Sequence, residues 1–342
     1  MTQEYKYDGN LTLENGAVLI QPTIAYSTYG ILNEAKDNVV WVCHALTANS
    51  QAADWWPGMI GKGCALDTDR YFIVCANILG SCYGSTGPLS IDPAISSPYF
   101  HSFPQITIRD MVCVHILLRQ HLGIDTIHLL VGGSMGGYQA LEWASMEDDV
   151  INNLFLLATS AAESAWGIAI HTAQRLAIDA DATWHHNNAS AGAKGLKTAR
   201  AIGMLTYRGY QSFVTHQTDE DFHKVDNYRA SSYIDYQGNK LVARFNAYSY
   251  WCLTKAMDSH NIARGKTASV AEALSQLQQP TLVIGIDTDM LCPFSEQEFI
   301  ATYIPNARLV KIKSAFGHDG FLVEVKKISK HLSAFIKNIR RA

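Results

Sequence analysis

Ser134, an acid at Asp287 or Asp289, and His318 have the residue types and the chain order that nucleophilic acyl transfer requires. A serine hydroxyl is a poor nucleophile until an imidazole takes its proton, and the imidazole needs a carboxylate to fix its tautomer. Ser134 stands in G-x-S-x-G, with Gly132 and Gly136 at the marked positions of the stretch IHLLVGGSMGGYQA, residues 127–140. The apolar run from Ile127 to Val131, around His128, suits a buried parallel strand, and YQALEWA suits a helix. A strand that turns sharply into a helix strains its turn residue and brings the flanking backbones too close for a Cβ, which accounts for the glycines. The serine is then held at the carboxyl edge of a sheet, and the N–H of Met135 can point at an oxyanion. A second donor belongs in the loop after the strand VVWVC (39–43), where His44-Ala45-Leu46 offers the N–H of Leu46. His44 itself reads as a residue packing that loop.

The acid and the base come late. The strand TLVIGI runs into Asp287-Thr288-Asp289-Met290-Leu291-Cys292-Pro293. Spacing leaves two acids open, Asp287 nearer the strand and Asp289 nearer the turn at Pro293. After the next strand, LVKIKSAFGHDGFL delivers His318 on a glycine-flanked loop just before the last helix. His185 and His186 are adjacent, with neither the spacing nor the nearby carboxylates of a metal site, and read as surface; no metal is expected.

These residues need a scaffold. Ala17 to Tyr29 reads as a strand or hairpin arm, and Val39 to Cys43, Tyr71 to Ile78, Ile151 to Leu157, Pro280 to Ile286 and Ala307 to Ile312 as buried strands. Ile106 to Leu122, Tyr138 to Met146, Ser295 to Tyr303 and a closing amphipathic stretch from Phe321 to Ile339, with Lys and Arg towards its end, read as helices. Strands alternating with helices imply right-handed crossovers and a mostly parallel sheet with helices on both faces. The rhythm changes after Ser160: residues 160–277 are rich in Ala, His, Tyr and Trp, with helical pieces such as Gly195 to Tyr207. The chain therefore reads as a core, 1–159 and 278–342, carrying a helical lid inserted at 160–277 above the carboxyl edge where Ser134 sits.

With 342 residues, 48% hydrophobic and 17% charged, the chain suits an amply cored globular protein. A net charge of −4 without a basic stripe argues against nucleic acid as a partner. No apolar run reaches the roughly 18 residues of a membrane span, and MTQEYKYDGN has no signal-peptide pattern. Seven cysteines without C-x-x-C spacing suit free thiols in a reducing compartment, so a cytoplasmic location is expected.

Several longer segments are more specific than the elbow. CHALTANS (43–50), NILGSCYGSTGP (77–88), ITIRDMV (106–112), GGSMGGYQALEW (132–143), GLKTARAIGMLTYRG (195–209), TDMLCP (288–293) and GHDGFL (317–322) resemble the homoserine O-acetyltransferases of the α/β-hydrolase superfamily. The resemblance spans nearly the whole chain and implies an α/β-hydrolase fold, with Ser134 as nucleophile, Asp289 as the triad acid and His318 as base. It also implies Arg200 and Asp319 as substrate-binding residues; a guanidinium can fork onto an amino-acid carboxylate and a carboxylate can hold the ammonium. Tyr207 and Arg208 fall in a family segment without an assigned role. Ala48 and Asn49 stand where the family has glycine and aspartate, and Met290 or Cys292 where it has an aromatic. The implied reaction is ping-pong acetyl transfer from acetyl-CoA, a co-substrate and not a permanently bound cofactor, to L-homoserine on the route to methionine, by a homodimer formed through the lid. A serine acceptor, a succinyl donor or a plain esterase would share the triad.

Overall fold

Eight strands whose apolar side chains alternate between two faces form the centre of the computed structural model, which describes residues 2–339. They are β1 (Gln3–Lys6), β2 (Thr23–Tyr29), β3 (Val39–Cys43), β4 (Phe72–Ala76), β5 (Leu129–Gly133), β6 (Leu154–Leu157), β7 (Thr281–Ile286) and β8 (Ala307–Ile312). Their order across the sheet is β1-β2-β4-β3-β5-β6-β7-β8. The pairings of β2 with β1 and with β4 are antiparallel, and all others are parallel. The strand expected over Ala17 to Tyr29 is broken: Val18–Ile20 pairs with Asn10–Thr12 in a separate hairpin before β2 begins. Gln21 at φ 45° and Pro22, which has no N–H to give a ladder, make the break.

Central strands buried on both faces read as unbroken apolar runs. Trp41, Leu130 and Leu156 point to one layer, with Met111, Val112 and Leu118 of α1 (Ile108–His121) and Leu141 of α2 (Met135–Met146). Val40, Val42, Leu129, Val131 and Phe155 point to the other, beneath Ile328, Leu332 and Phe335 of the last helix. A capping box starts α1: Thr107 and Asp110 each accept from the other's backbone N–H.

Residues 160–277 carry α3 (Ala165–Asp179), α4 (Ala193–Tyr207), α5 (Tyr210–Gln217), α6 (Arg229–Val242), α7 (Ala247–Asp258) and the short α8 (Val270–Ser275). A bridge between Ala162 and Asn261 draws the start of this segment towards the end of α7. Leu196, Leu241, Tyr250 and Leu253 belong to the same buried cluster as Trp41 and Leu130, so the lid shares its core with the sheet. After β7 comes α9 (Phe294–Tyr303), against which α8 packs.

The single closing helix expected from Phe321 is interrupted. A 3₁₀ turn at Gly317–Asp319 leads into one helical turn, Gly320–Val323, and Glu324 leaves helical geometry before α10 (Val325–Ile339) begins. The break lets the first turn follow the His318 loop, with the Phe321 ring 5.2 Å from the imidazole, while α10 lies along the sheet. Arg340 and Arg341, expected at the end of this helix, lie outside the described residues, as do Met1 and Ala342.

One buried carboxylate ties the layers to the lid. Glu142 of α2 accepts from Arg109 of α1 at 3.1 Å and from Lys266, beyond α7, at 2.8 Å. Glu14 in turn holds Arg109 at 2.9 Å and Arg264 at 2.6 Å. Glu142→Ala leaves Lys266 without its anion and Arg109 with Glu14 alone, and urea unfolding is expected to show a loss of about 2 kcal/mol.

Candidate active site

The end of β5 dictates the position of Ser134. Its φ of 55° and ψ of −129° lie outside the usual regions for a side-chain-bearing residue, so the turn has to be held from outside. The Ser134 N–H donates to the Leu157 carbonyl at 3.0 Å, and the Ser134 carbonyl accepts from the Thr159 hydroxyl at 2.8 Å. The glycines are sterically required: a Cβ on Gly136 would lie 2.0 Å from the Cys43 carbonyl oxygen, and one on Gly132 would lie 2.2 Å from that of Gly136. The hydroxyl thus emerges at the start of α2, where the N–H of Met135 has no partner among the described residues.

His318 reaches Ser134 from the other end of the chain. Its Nε2 is 2.8 Å from Ser134 Oγ and its Nδ1 is 2.7 Å from Asp289 Oδ2. The other oxygen of Asp289 accepts the N–H groups of Leu291 and Cys292, both at 2.9 Å, which fixes the carboxylate plane. Asp287, the alternative on spacing, instead accepts from the Ser314 N–H at 2.9 Å and fastens the loop that carries His318. Burial pushes the imidazole pKa down, but the charge and hydrogen bond of Asp289, with a smaller pull from Asp319, outweigh it and leave His318 above its ordinary range.

Leu46 lines the pocket beside Ser134, and its N–H, like that of Met135, donates to no group among the described residues. His44 is fully buried, its Nδ1 2.9 Å from the Ala45 carbonyl, and burial drops its pKa to about 4. It packs this loop as a neutral ring. Ala48 and Asn49 also line the pocket, whereas Met290 is exposed and receives the Trp166 indole N–H on its carbonyl at 2.9 Å.

The pocket measures about 370 Å³ and places Arg200, Tyr207 and Asp319 around Ser134 and His318. The Arg200 guanidinium lies 5.3 Å over the Tyr207 ring, whose centroid is 6.0 Å from that of His318. Arg200 Nε is buried without a hydrogen-bond partner among the described residues. Asp319 does not cap the following helical turn; it pairs with Arg208 at 3.0 Å. Burial raises its carboxyl above the usual range, against the opposing pull of Arg208, His318 and Arg200. Arg208 also donates to the Tyr233 hydroxyl at 3.0 Å. Tyr207 and Arg208, which had no assigned role, therefore brace the two charged groups.

One wall of the pocket was not expected. His171, Gln174 and Arg175 of α3 are all buried, although His171 and Gln174 line the pocket. Asp258 accepts from His171 Nδ1 at 3.0 Å and from Arg175 at 2.5 Å, and Gln174 Oε1 has no partner among the described residues. The signal was their i, i+3, i+4 spacing on an otherwise apolar helix. His185 and His186 are exposed, and no cluster with metal-ligand geometry occurs among the described residues.

A family model described as the alpha/beta hydrolase fold matches residues 38–325. The homoserine O-acetyltransferase of Cyclobacterium marinum is 45% identical over 336 residues, covering 98% of this chain and 95% of the relative. The crystal structure of homoserine O-acetyltransferase from Bacillus anthracis aligns with a TM-score of 0.91 at 25% identity, over 98% of this chain and 97% of that one. Esterase E22 aligns with a TM-score of 0.90 at 22% identity, over 98% and 99%, a likeness of fold alone.

The imidazole must be neutral to take the serine proton. A pKa raised above the ordinary 6.5 predicts that kcat/KM is level in mild alkali and falls as pH drops through a midpoint above that value. Asp289→Asn removes the main groups that raise it, so the acid limb moves down in pH while the plateau falls by about 10⁴-fold through loss of the correct tautomer. Rate measurements across pH with wild type and variant check both shifts.

Proposed function

The chain belongs to the homoserine O-acetyltransferases of the α/β-hydrolase fold, and we propose that it moves an acetyl group from acetyl-CoA to the hydroxyl of L-homoserine, giving O-acetyl-L-homoserine for methionine biosynthesis. In the first half-reaction His318 takes the proton of Ser134 as Oγ attacks the thioester carbonyl. The oxyanion is met by the free N–H groups of Met135 and Leu46. Collapse breaks the C–S bond, and the departing CoA sulfur takes the proton from His318, leaving an acetyl ester on Ser134. In the second half-reaction His318 takes the proton of the homoserine hydroxyl, the alkoxide attacks the ester, and Ser134 leaves with that proton. Asp289 orients the ring throughout and stabilises the imidazolium.

The observation that carries the acceptor is Arg200: a partly buried cation beside Ser134, with no carboxylate paired to it among the described residues. A neutral ester needs no such group. The carboxylate of an amino acid fills it, and Asp319, one oxygen of which is on Arg208, takes the ammonium. The hydroxyl at the far end of homoserine is then left at the acyl-enzyme, where its attack is intramolecular in effect.

A homodimer through the lid is supported by exposed apolar side chains there: Leu205 at 61%, Tyr210 at 81%, Phe222 at 96% and Val225 at 89%. A second copy of the chain covers them in this reading. Seven free cysteines suit work in the cytoplasm, and no helix among the described residues is long and apolar enough to cross a membrane.

Thiol release from acetyl-CoA, followed with L-homoserine, L-serine, succinyl-CoA as donor, or no acceptor, tests the assignment. Fast release is expected with acetyl-CoA and homoserine, with parallel double-reciprocal lines when both are varied. Converging lines would remove the acyl-enzyme, and equally fast release without acceptor would make the protein a hydrolase. Arg200→Ala is expected to raise the KM for homoserine by about tenfold or more; an unchanged KM removes the carboxylate contact.

A further inference from the structure

A second recess, of about 290 Å³, opens beside the pocket over Ser134 and shares Arg200, Arg244, Asp319 and Leu322 with it. Gln237 and Lys240 of α6, with Arg208, supply the rest of its polar lining. Four cations therefore face one carboxylate, and that carboxylate, Asp319, is engaged by Arg208 at 3.0 Å. Arg200, Lys240 and Arg244 have no carboxylate partner among the described residues. They are oriented by neutral groups: Lys240 lies 5.9 Å over the Tyr236 ring, and Arg244 donates to the Thr47 carbonyl and the Tyr83 hydroxyl. Ring faces and carbonyls hold a cation in place without cancelling its charge. In a chain of net charge −4, three uncancelled cations around one recess make a local field that draws anions.

The shared rim decides which anion. A ligand whose reactive carbon sits at Ser134 and which is too long for the first pocket must lay its remote end in the second. The acceptor is a small amino acid whose carboxylate is met within the first pocket by Arg200. The donor is long, and its remote end carries phosphates. Resting on the acetyl-CoA reading above, we propose that Lys240 and Arg244, with Gln237 beside them, form the site for the phosphate groups at the nucleotide end of the acyl donor. Arg244 also fastens Thr47, the residue after Leu46, so a phosphate here would steady the loop that offers the oxyanion donor.

Among the described residues Lys240 makes no hydrogen bond to the loops of Ser134, Asp289 and His318, which makes it the residue to change. The experiment compares acetyl-CoA with S-acetylpantetheine, which has the same thioester and arm but no phosphates, in wild type, Lys240→Ala, Lys240→Glu and Lys240→Arg. The expected result is that the ratio of kcat/KM for acetyl-CoA to that for S-acetylpantetheine falls about tenfold in Lys240→Ala, further in Lys240→Glu, and recovers in Lys240→Arg. The wild-type KM for acetyl-CoA should rise with ionic strength, and more steeply than in Lys240→Ala. Calorimetry with coenzyme A and with pantetheine gives the same comparison without turnover, with inorganic phosphate as a competitor that reports the phosphate contact alone. Turnover of both thioesters with an unchanged ratio in Lys240→Glu overturns the site and leaves the transferase reading standing. Failure of wild type to turn over either thioester, while it still esterifies Ser134 from another ester, overturns the donor reading and the site with it.

Discussion

A hydrogen bond of 2.8 Å joins Ser134 to His318, residues 184 positions apart, and most of the architecture serves to make that meeting possible. Parallel pairing brings the carboxyl ends of the strands to one edge of the sheet. Gly133 pairs with Leu157, and Ile286 with Ile312, so the loops bearing Ser134, Asp289 and His318 all leave from the same side. The price of this arrangement is local strain at Ser134, borne by contacts from neighbouring elements: Leu157 and Thr159 grip its backbone, and Cys43 closes on Gly136. The same geometry leaves the first N–H of α2, that of Met135, without a carbonyl among the described residues, as the proposed oxyanion donor requires.

Electrostatics then set what the aligned groups do. Around His318 two effects compete: burial disfavours the imidazolium, and Asp289 at 2.7 Å favours it. Pairing wins, which suits the proposed base, since it would hold a proton during each half of the proposed transfer. Asp319 shows the reverse balance. Burial raises its carboxyl even with Arg208 at 3.0 Å, and its partner is that guanidinium where the partner of Asp289 is the imidazole. The excess of positive charge lies on Arg200 at the wall of this pocket and, further out, on Lys240 and Arg244.

Ser134 and His318 are legible in the sequence because each has a local signature that survives without tertiary information: glycines forced by a tight turn, and a fixed order along an alternating chain. The parallel sheet is legible for a related reason, since VVWVC and TLVIGI are too apolar for strands with a solvated face. The choice between Asp287 and Asp289 is not legible from spacing. Both lie in one loop, and only the direction of the chain there decides that Asp287 meets the Ser314 N–H while Asp289 meets the imidazole. The lid is harder still. His171, Gln174 and Arg175 have the polarity of a solvent face, yet they are buried, and Asp258 on another helix is the partner of His171 and Arg175. A polar stripe facing a partner helix and one facing water have the same period.

That lid is not a loosely hung flap. At the junction of α4 and α5, a Cβ on Gly209 would lie 2.2 Å from the Ala315 carbonyl oxygen, so the lid backbone touches the loop that carries His318. Arg208 extends the same contact through Asp319, next to the base. The residues proposed to choose the acceptor, Arg200 and Asp319, therefore sit on the two sides of one packed joint, and the ring of Tyr207 fills the space between Arg200 and His318. A change in this joint large enough to admit a different acceptor also moves the imidazole relative to Ser134. With the proposed roles of Arg200 and Asp319, selectivity and rate are coupled through this joint. A hydrolase built on the same sheet has no need of that coupling, because water asks nothing of the wall opposite the serine.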